Sequence, residues 1–309
     1  MASDSKGSGG KERMEAPDIH CPDAWPQLFA EIVASPGCIF MLGAPDTGKS
    51  TFAHFLCSQS IQRGLRTAYI DGDLGQSVFS PPTTLGMALP TEPPPNLEAV
   101  GWDCLYFIGA LSPANHLLPT AVGIKRLTHK ALEAGTQMVV VDTSGLVAGE
   151  LGFALKFYKI ELLCPRHIVA IQKTDEVEHI LKGVHGRKAM EVHRLAPSPG
   201  VQVRSPEIRR AYRKRRFAEY FSGSSLRTVS LNEVEFICPG LPLIPVEEIA
   251  KRFQGTVLGL IDEEYLTRGL GILSGLDLER NEVAFTTPLP DLQGIRYLHL
   301  GHITLTISP

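Results

Sequence analysis

Cys38-Ile39-Phe40-Met41-Leu42-Gly43-Ala44-Pro45-Asp46-Thr47-Gly48-Lys49-Ser50-Thr51 decides the fold of this chain. Five apolar residues read as a buried strand, and a glycine-rich turn follows at once. From Thr51 to Gln62 the pattern suits a helix. Gly43 to Ser50 fits G-x-x-x-x-G-K-[ST] in full, and strand–loop–helix is the context in which that spacing cradles phosphate. Backbone N–H groups at a helix N-terminus, with the helix dipole behind them, favour an anion. In such a cradle Gly43, Ala44, Pro45, Asp46, Thr47, Gly48 and Thr51 form the wall around a nucleotide. Lys49 reaches the outer phosphates, and the Ser50 hydroxyl is placed for Mg²⁺.

Working outward, strand and helix patterns alternate. Strands are expected at 66–70, 102–108, 137–142 and 167–171, and helices at 25–33, 116–133, 151–163 and 176–184. Prolines between Pro81 and Pro95 read as a long irregular connection. This alternation predicts an α/β fold, a P-loop NTPase with a mostly parallel sheet flanked by helices. Beyond Ser224 the chain is glycine-rich, with short β-like runs at 255–261, 269–273, 282–286 and 299–307, and reads as a small C-terminal β domain. The expected division is a disordered lead over 1–17, a P-loop domain over 18–223 and a β-rich domain over 224–309.

Composition excludes several classes. The 309 residues carry a net charge of −3, with 43% hydrophobic and 20% charged residues. That balance argues against a protein that coats DNA non-specifically. No run approaches a membrane span, and no apolar leader segment is present. Six cysteines without a C-x-x-C pair or Cys/His metal spacing point to a reducing, cytoplasmic setting. Cys38, Cys57 and Cys104 read as core residues, as do Trp25 and Trp102.

Four further segments carry chemistry. Asp71-Gly72-Asp73-Leu74-Gly75-Gln76 sets two carboxylates just past a strand end, one suited to Mg²⁺ and the other to the proton of an attacking hydroxyl. Asp142-Thr143-Ser144-Gly145, after Val139-Val140-Val141, places an acid where the Mg²⁺ shell of such folds lies. Gln172-Lys173-Thr174-Asp175 resembles a guanine-binding loop with Gln for Asn. Arg204 to Arg216 holds seven basic residues against Glu207. Arg209, Arg213 and Arg216 share a helical face with Arg210 beside them, suited to close over a triphosphate or a nucleic-acid backbone.

Together these segments resemble the RNA-type 5′-hydroxyl polynucleotide kinases, the family of the pre-mRNA 3′-end processing kinase and the nucleolar rRNA-processing kinase. The resemblance rests on the P-loop, Asp71 to Gln76, Ser80-Pro81-Pro82-Thr83-Thr84-Leu85-Gly86, Asp142 to Gly145, and Arg209-Arg210-Ala211-Tyr212-Arg213-Lys214-Arg215-Arg216-Phe217-Ala218-Glu219-Tyr220-Phe221. It implies transfer of the γ-phosphate of ATP, or GTP, to the 5′-OH of RNA or DNA, with Mg²⁺. It makes Asp73 or Asp71 the general base and sets Gln76 and Thr84 against the phosphates or acceptor. Arg209, Arg210, Arg213 and Arg216 become lid arginines at about 204–221. The metal set would be Ser50, Asp71 and Asp142, and Gln172 with Asp175 would touch the base. With 37 residues before the first strand, the resemblance favours a stand-alone kinase core, and no protein partner is legible. Two rivals remain open from the residues alone: a regulatory GTPase or ATPase, and a nucleic-acid-binding scaffold that clamps ATP without turnover.

Overall fold

The computed structural model describes residues 21–238 and 246–305. The lead expected over 1–17 lies outside them. The chain runs α1 (Ala24–Ala34), β1 (Cys38–Leu42), α2 (Lys49–Gln62), β2 (Thr67–Gly72), β3 (Thr84–Ala88), β4 (Cys104–Phe107), α3 (Leu117–Glu133), β5 (Met138–Thr143), α4 (Gly149–Leu163), β6 (His167–Ile171), α5 (Glu178–Lys182) and β7 (Glu191–Leu195). It continues through α6 (Pro206–Tyr220), β8 (Ser225–Ser230), β9 (Glu235–Ile237), α7 (Val246–Phe253), β10 (Thr256–Asp262), β11 (Thr267–Asp277), β12 (Glu282–Thr287) and β13 (Ile295–Thr304).

Five strands in the order β7-β6-β1-β5-β2 pair in parallel. Both faces are covered, so these strands are apolar throughout. The period of two is visible in β1. Phe40 and Leu42 pack with Ile124 and Leu127 of α3 and Ile160 of α4, whereas Ile39 and Met41 pack with Trp25, Phe29 and Ile32 of α1 and Phe52 of α2. β1 has a parallel neighbour on each side, and the chain leaves it for the far side of β5. The loop after β1 therefore opens at a topological switch point, where ligands bind in such sheets.

The sequence reading misses β3. Residues 84–88 fall in the stretch taken as irregular, yet every residue of β3 is buried and it pairs antiparallel with both β2 and β4. The neighbouring prolines mask a strand whose Thr84-Leu85-Gly86-Met87-Ala88 pattern is weak by itself. β7 and β8 escape as well, since their half-exposed polar residues carry little apolar signal.

The sheet continues past β4. Leu105 of β4 pairs with Thr267 of β11, and the C-terminal strands follow in the order β11-β10-β13-β9. Phe107 of β4, Phe217 of α6, and Val257, Ile261 and Leu270 of β10 and β11 share one buried cluster. Leu258, Leu260, Leu273, Phe285 and Leu298 form a second core among the C-terminal strands. No helix of the described residues is long and apolar enough to cross a membrane.

Candidate active site

A cavity of about 680 Å³ opens at the C-terminal ends of the parallel strands. Its walls come from the P-loop, Asp73, Gly75 and Gln76, residues 143–146, Ser198, residues 200–202, Arg204, and Arg209 and Arg213 of α6. The cradle depends on backbone approach. A Cβ on Gly43 would lie 2.5 Å from the Ile171 carbonyl oxygen, and one on Gly145 would lie 2.5 Å from the Pro45 nitrogen. Gly48 sits at φ 88°, in the left-handed region that glycine enters without strain. It is the N-cap of α2 and has no side chain to cap the helix, which leaves the first N–H groups to a ligand.

Lys49 is buried, and its Nζ donates to the Ala44 carbonyl at 2.7 Å. Burial pushes its pKa down, and Asp142, Asp73 and Asp46 work in the opposite direction. Ser50 Oγ donates to Asp142 Oδ2, which also accepts from the Tyr69 hydroxyl at 3.1 Å. Burial raises the Asp142 pKa, while Lys49 and the two hydroxyl donors lower it. A hydroxyl oxygen and a carboxylate oxygen held together beside a phosphate cradle are the hard donors that Mg²⁺ takes.

The two carboxylates of the 71–76 segment separate cleanly. Asp71 is 1% exposed and lies off the cavity wall. Its Oδ1 accepts from Asp73 N, and its Oδ2 accepts from Val78 N at 2.6 Å and Ser77 Oγ at 2.9 Å. Both oxygens are committed to the turn. Burial and the nearby Asp142 push its pKa up to about 7, against the lowering by those backbone N–H groups. Asp73 lines the cavity. Its Oδ1 accepts from Gly75 N and Gln76 N, which aims the carboxylate while leaving Oδ2 clear of those bonds. Gln76 also lines the cavity, and its buried Oε1 has no partner among the described residues. Ser144 Oγ is a second buried, partnerless oxygen on the wall. Orphaned polar atoms in a cavity are sites that a polar ligand satisfies.

Helix α6 closes the cavity as a lid. Ser205 caps it by accepting from Ile208 N, and Pro206 opens its first turn. Arg209 Nη2 meets Asp46 Oδ2 at 2.6 Å, which bridges lid and P-loop directly. Arg213 faces the cavity. Arg216 does not line it; its Nη2 donates to the Ser80 carbonyl at 3.2 Å and fastens the lid to the segment before β3. Tyr212 does the same through its hydroxyl, 2.8 Å from the Ser77 carbonyl. Arg210 points outward and is exposed, because one residue is a 100° step around the helix.

Three expected contacts fall elsewhere. Thr84 is fully buried, and its hydroxyl donates to the Pro81 carbonyl at 2.7 Å. Gln172 is buried and bonds Glu178 Oε1 and Val177 N, and Asp175 is exposed; neither lines the cavity. The wall beyond the phosphates is instead Ser198, Gly200, Val201 and Gln202, between β7 and α6. No motif marks that segment, so spacing alone could not have found it. Trp102, expected in the core, is 41% exposed and leans on Tyr220 of the lid at 6.2 Å between rings.

One supporting residue escaped the sequence reading. Lys156 of α4 is fully buried, and its Nζ donates to Thr143 Oγ1 at 2.6 Å and to the Ser144 carbonyl. It holds the 142–145 loop against the cradle. The signal was two lysines, Lys156 and Lys159, on the apolar face of α4.

A glycine-rich loop between a central parallel strand and a helix, with Lys49, Ser50 and Asp142 in place, defines a P-loop nucleotide-binding protein. The family described as mRNA cleavage and polyadenylation factor CLP1 P-loop matches residues 43–223, and the chain belongs to that family. A polyribonucleotide 5′-hydroxyl-kinase of Methanocaldococcus jannaschii is 28% identical over 314 residues, covering 86% of each chain. One of Pyrococcus abyssi is 26% identical, covering 88% of this chain and 89% of its own. A CLP1 homolog of Nematostella vectensis is 29% identical over 67% of this chain and 51% of its own. In fold, the chain is similar to the Clp1p chain of a Clp1p–Pcf11p complex, with a TM-score of 0.67 and 15% identity over 92% of this chain and 80% of that one.

Proposed function

We propose that this chain is a polynucleotide 5′-hydroxyl kinase that moves the γ-phosphate of ATP onto the 5′-OH of RNA. The observation that carries the reading is convergence. Lys49, the free side of Asp73, and the lid arginines Arg209 and Arg213 all face one cavity. The names of the archaeal relatives, matched over 86–89% of their own length, support RNA as acceptor.

Bound ATP would lay its phosphates along the N–H groups of Thr47 to Ser50, with Lys49 beside the outer two. Its base would lie toward Ser198 to Gln202, and not at Gln172 and Asp175. Mg²⁺, held through Ser50 and Asp142, would neutralise charge on the β- and γ-phosphates. Asp73 accepts the proton of the 5′-OH and aims that oxygen at the γ-phosphorus, opposite the leaving β–γ bridging oxygen. Arg209 and Arg213 balance charge on the transferring group. Phosphoryl transfer asks mainly for this positioning and charge balance. The products are a 5′-phosphorylated polynucleotide and ADP.

Arg209 links lid to P-loop through Asp46, on the wall of the same cavity. Nucleotide phosphates then compete for that guanidinium, so lid closure and donor binding are coupled.

Matched 5′-OH RNA and DNA oligonucleotides, offered with each γ-labelled nucleoside triphosphate and Mg²⁺, test the proposal. The expected result is label on RNA with ATP as donor. Slow hydrolysis with strong guanine preference and no labelled oligonucleotide would instead favour a switch GTPase. Oligonucleotide binding without turnover would favour a scaffold.

A further inference from the structure

The structure assembles a second polar cluster at the opposite end of the parallel sheet. His167 opens β6, and Glu191 and His193 lie two apart on the edge strand β7. The strands pair with His167 opposite Glu191 and Val169 opposite His193. Residues two apart on a strand point to the same face. Val169 and Leu195 face α1, so His167, Glu191 and His193 face it too. Glu31 and Ser35 at the end of α1 close over them.

We propose that His167, Glu191 and His193 bind a divalent transition cation of the zinc class, separate from the phosphate cradle. One nitrogen from each histidine and a Glu191 carboxylate oxygen lie within 4.8 Å of one another. His167 Nδ1 is 3.1 Å from His193 Nε2 and 3.7 Å from Glu191 Oε2. Metal–ligand bonds of about 2.0–2.1 Å in tetrahedral array set ligand atoms roughly 3.3–3.4 Å apart, between those two distances. Two imidazoles and one carboxylate leave a fourth position for water.

The tautomers sharpen the case. His167 is fully buried, and its Nε2 lies 2.8 Å from the Ser35 carbonyl, which can only accept. Nε2 therefore carries the proton, and Nδ1 turns a lone pair inward. His193 Nδ1 faces Glu31 Oε2 at 3.6 Å. If the proton of a neutral His193 sits on Nδ1, toward that carboxylate, its Nε2 lone pair meets the His167 lone pair at 3.1 Å. If the proton sits on Nε2, the Nδ1 lone pair faces the Glu31 carboxylate. The Nε2 tautomer gives a direct His193–His167 hydrogen bond; in the Nδ1 tautomer a cation between His167 Nδ1 and His193 Nε2 relieves the two facing lone pairs. A backbone carbonyl on one ligating histidine and a carboxylate by the other are the outer contacts that orient such ligands. Arg166 holds the other Glu191 oxygen at 2.6 Å, fixing Oε2 toward the histidines. Such a cation would tie α1 to β6 and to the edge strand β7.

The test titrates the full chain, stripped with chelator and held in excess Mg²⁺, with cobalt chloride. One Co²⁺ per chain, with the strong visible bands of a low-coordinate site and displacement by Zn²⁺, is expected. Glu191→Gln and His193→Gln should each weaken that binding on the order of 100-fold or more, with phosphoryl transfer unchanged. As a readout independent of variant folding, zinc chloride should raise the melting temperature of the wild-type chain saturably. A wild-type chain without such bands or such a rise overturns the proposal, and so do bands that survive in foldable His193→Gln.

Discussion

At the residue scale, the site is defined by which of two similar side chains is free. Asp71 and Asp73 are equivalent candidates in a sequence, both just past a strand. Only the fold shows Asp71 spending both oxygens on Asp73 N, Ser77 and Val78, so its work is to shape the turn that presents Asp73. The P-loop was fully legible because its chemistry is backbone geometry encoded by glycines at fixed spacing. Gln172 and Asp175 misled for the converse reason: a short polar loop at a strand end is common, and its direction is set by packing. Replacing Asp175 by Asn is accordingly expected to leave donor preference unchanged in a competition assay with the four triphosphates. Gly145→Ala is the opposite case. A Cβ 2.5 Å from Pro45 N must push the P-loop aside. At the roughly 1–3 kcal/mol typical of overpacking, nucleotide affinity should fall about 5- to 150-fold. Equilibrium binding of a labelled ATP analogue measures it.

At the element scale, α4 and α6 hold the cavity from below and above. α4 was readable as a helix, but its two buried lysines could not be assigned, since burial of a charge depends on what the sheet places opposite it. Lys156 gained partners in the 142–145 loop, whereas Lys159 Nζ has none among the described residues and burial lowers its pKa to about 8. The ordinary unfolded value is about 10.4. Between these two pH values the unfolded chain binds more protons, so the Lys159 contribution makes stability rise with pH across that window. Below about 8 the full cost of burying the ammonium applies. Lys159→Met should flatten that rise and stabilise the chain at neutral pH by about 1–3 kcal/mol, the scale of a buried unpaired group. Denaturant midpoints of both proteins between pH 7 and 10.5 provide the comparison. α6 was legible as a basic helix. The shared face of Arg209, Arg213 and Arg216 was legible too; that Tyr212 joins it while Arg210 points away became clear only with the sheet beneath it.

At the scale of the whole molecule, the C-terminal strands extend the sheet that begins at the P-loop. Their β character was plain from glycines and short apolar runs, but their docking depends on single contacts far apart in sequence. Thr267 Oγ1 accepts from Phe107 N at 2.8 Å, and Leu270 N donates to the Tyr220 hydroxyl at 2.7 Å. The second bond ties the lid helix to β11. We expect the described residues, 21–238 and 246–305, to unfold in one transition. A chain ending at residue 223 should bare Phe107 and Phe217 and lose that cooperative melt, as calorimetry of both would record. A truncated chain that melts with unchanged midpoint would show two independent units instead.

The central claim is that one cavity joins a gripped γ-phosphate to a hydroxyl aimed by Asp73. Its most direct test is single-turnover transfer of γ-label from saturating Mg²⁺·ATP to 5′-OH RNA, by the wild-type chain and by Asp73→Asn. The account predicts labelled RNA 5′ ends from the wild type, and a rate lower by roughly 10²–10⁴ in the variant with ATP affinity retained. Label transfer at the same rate in both, or none from the wild type, would contradict it.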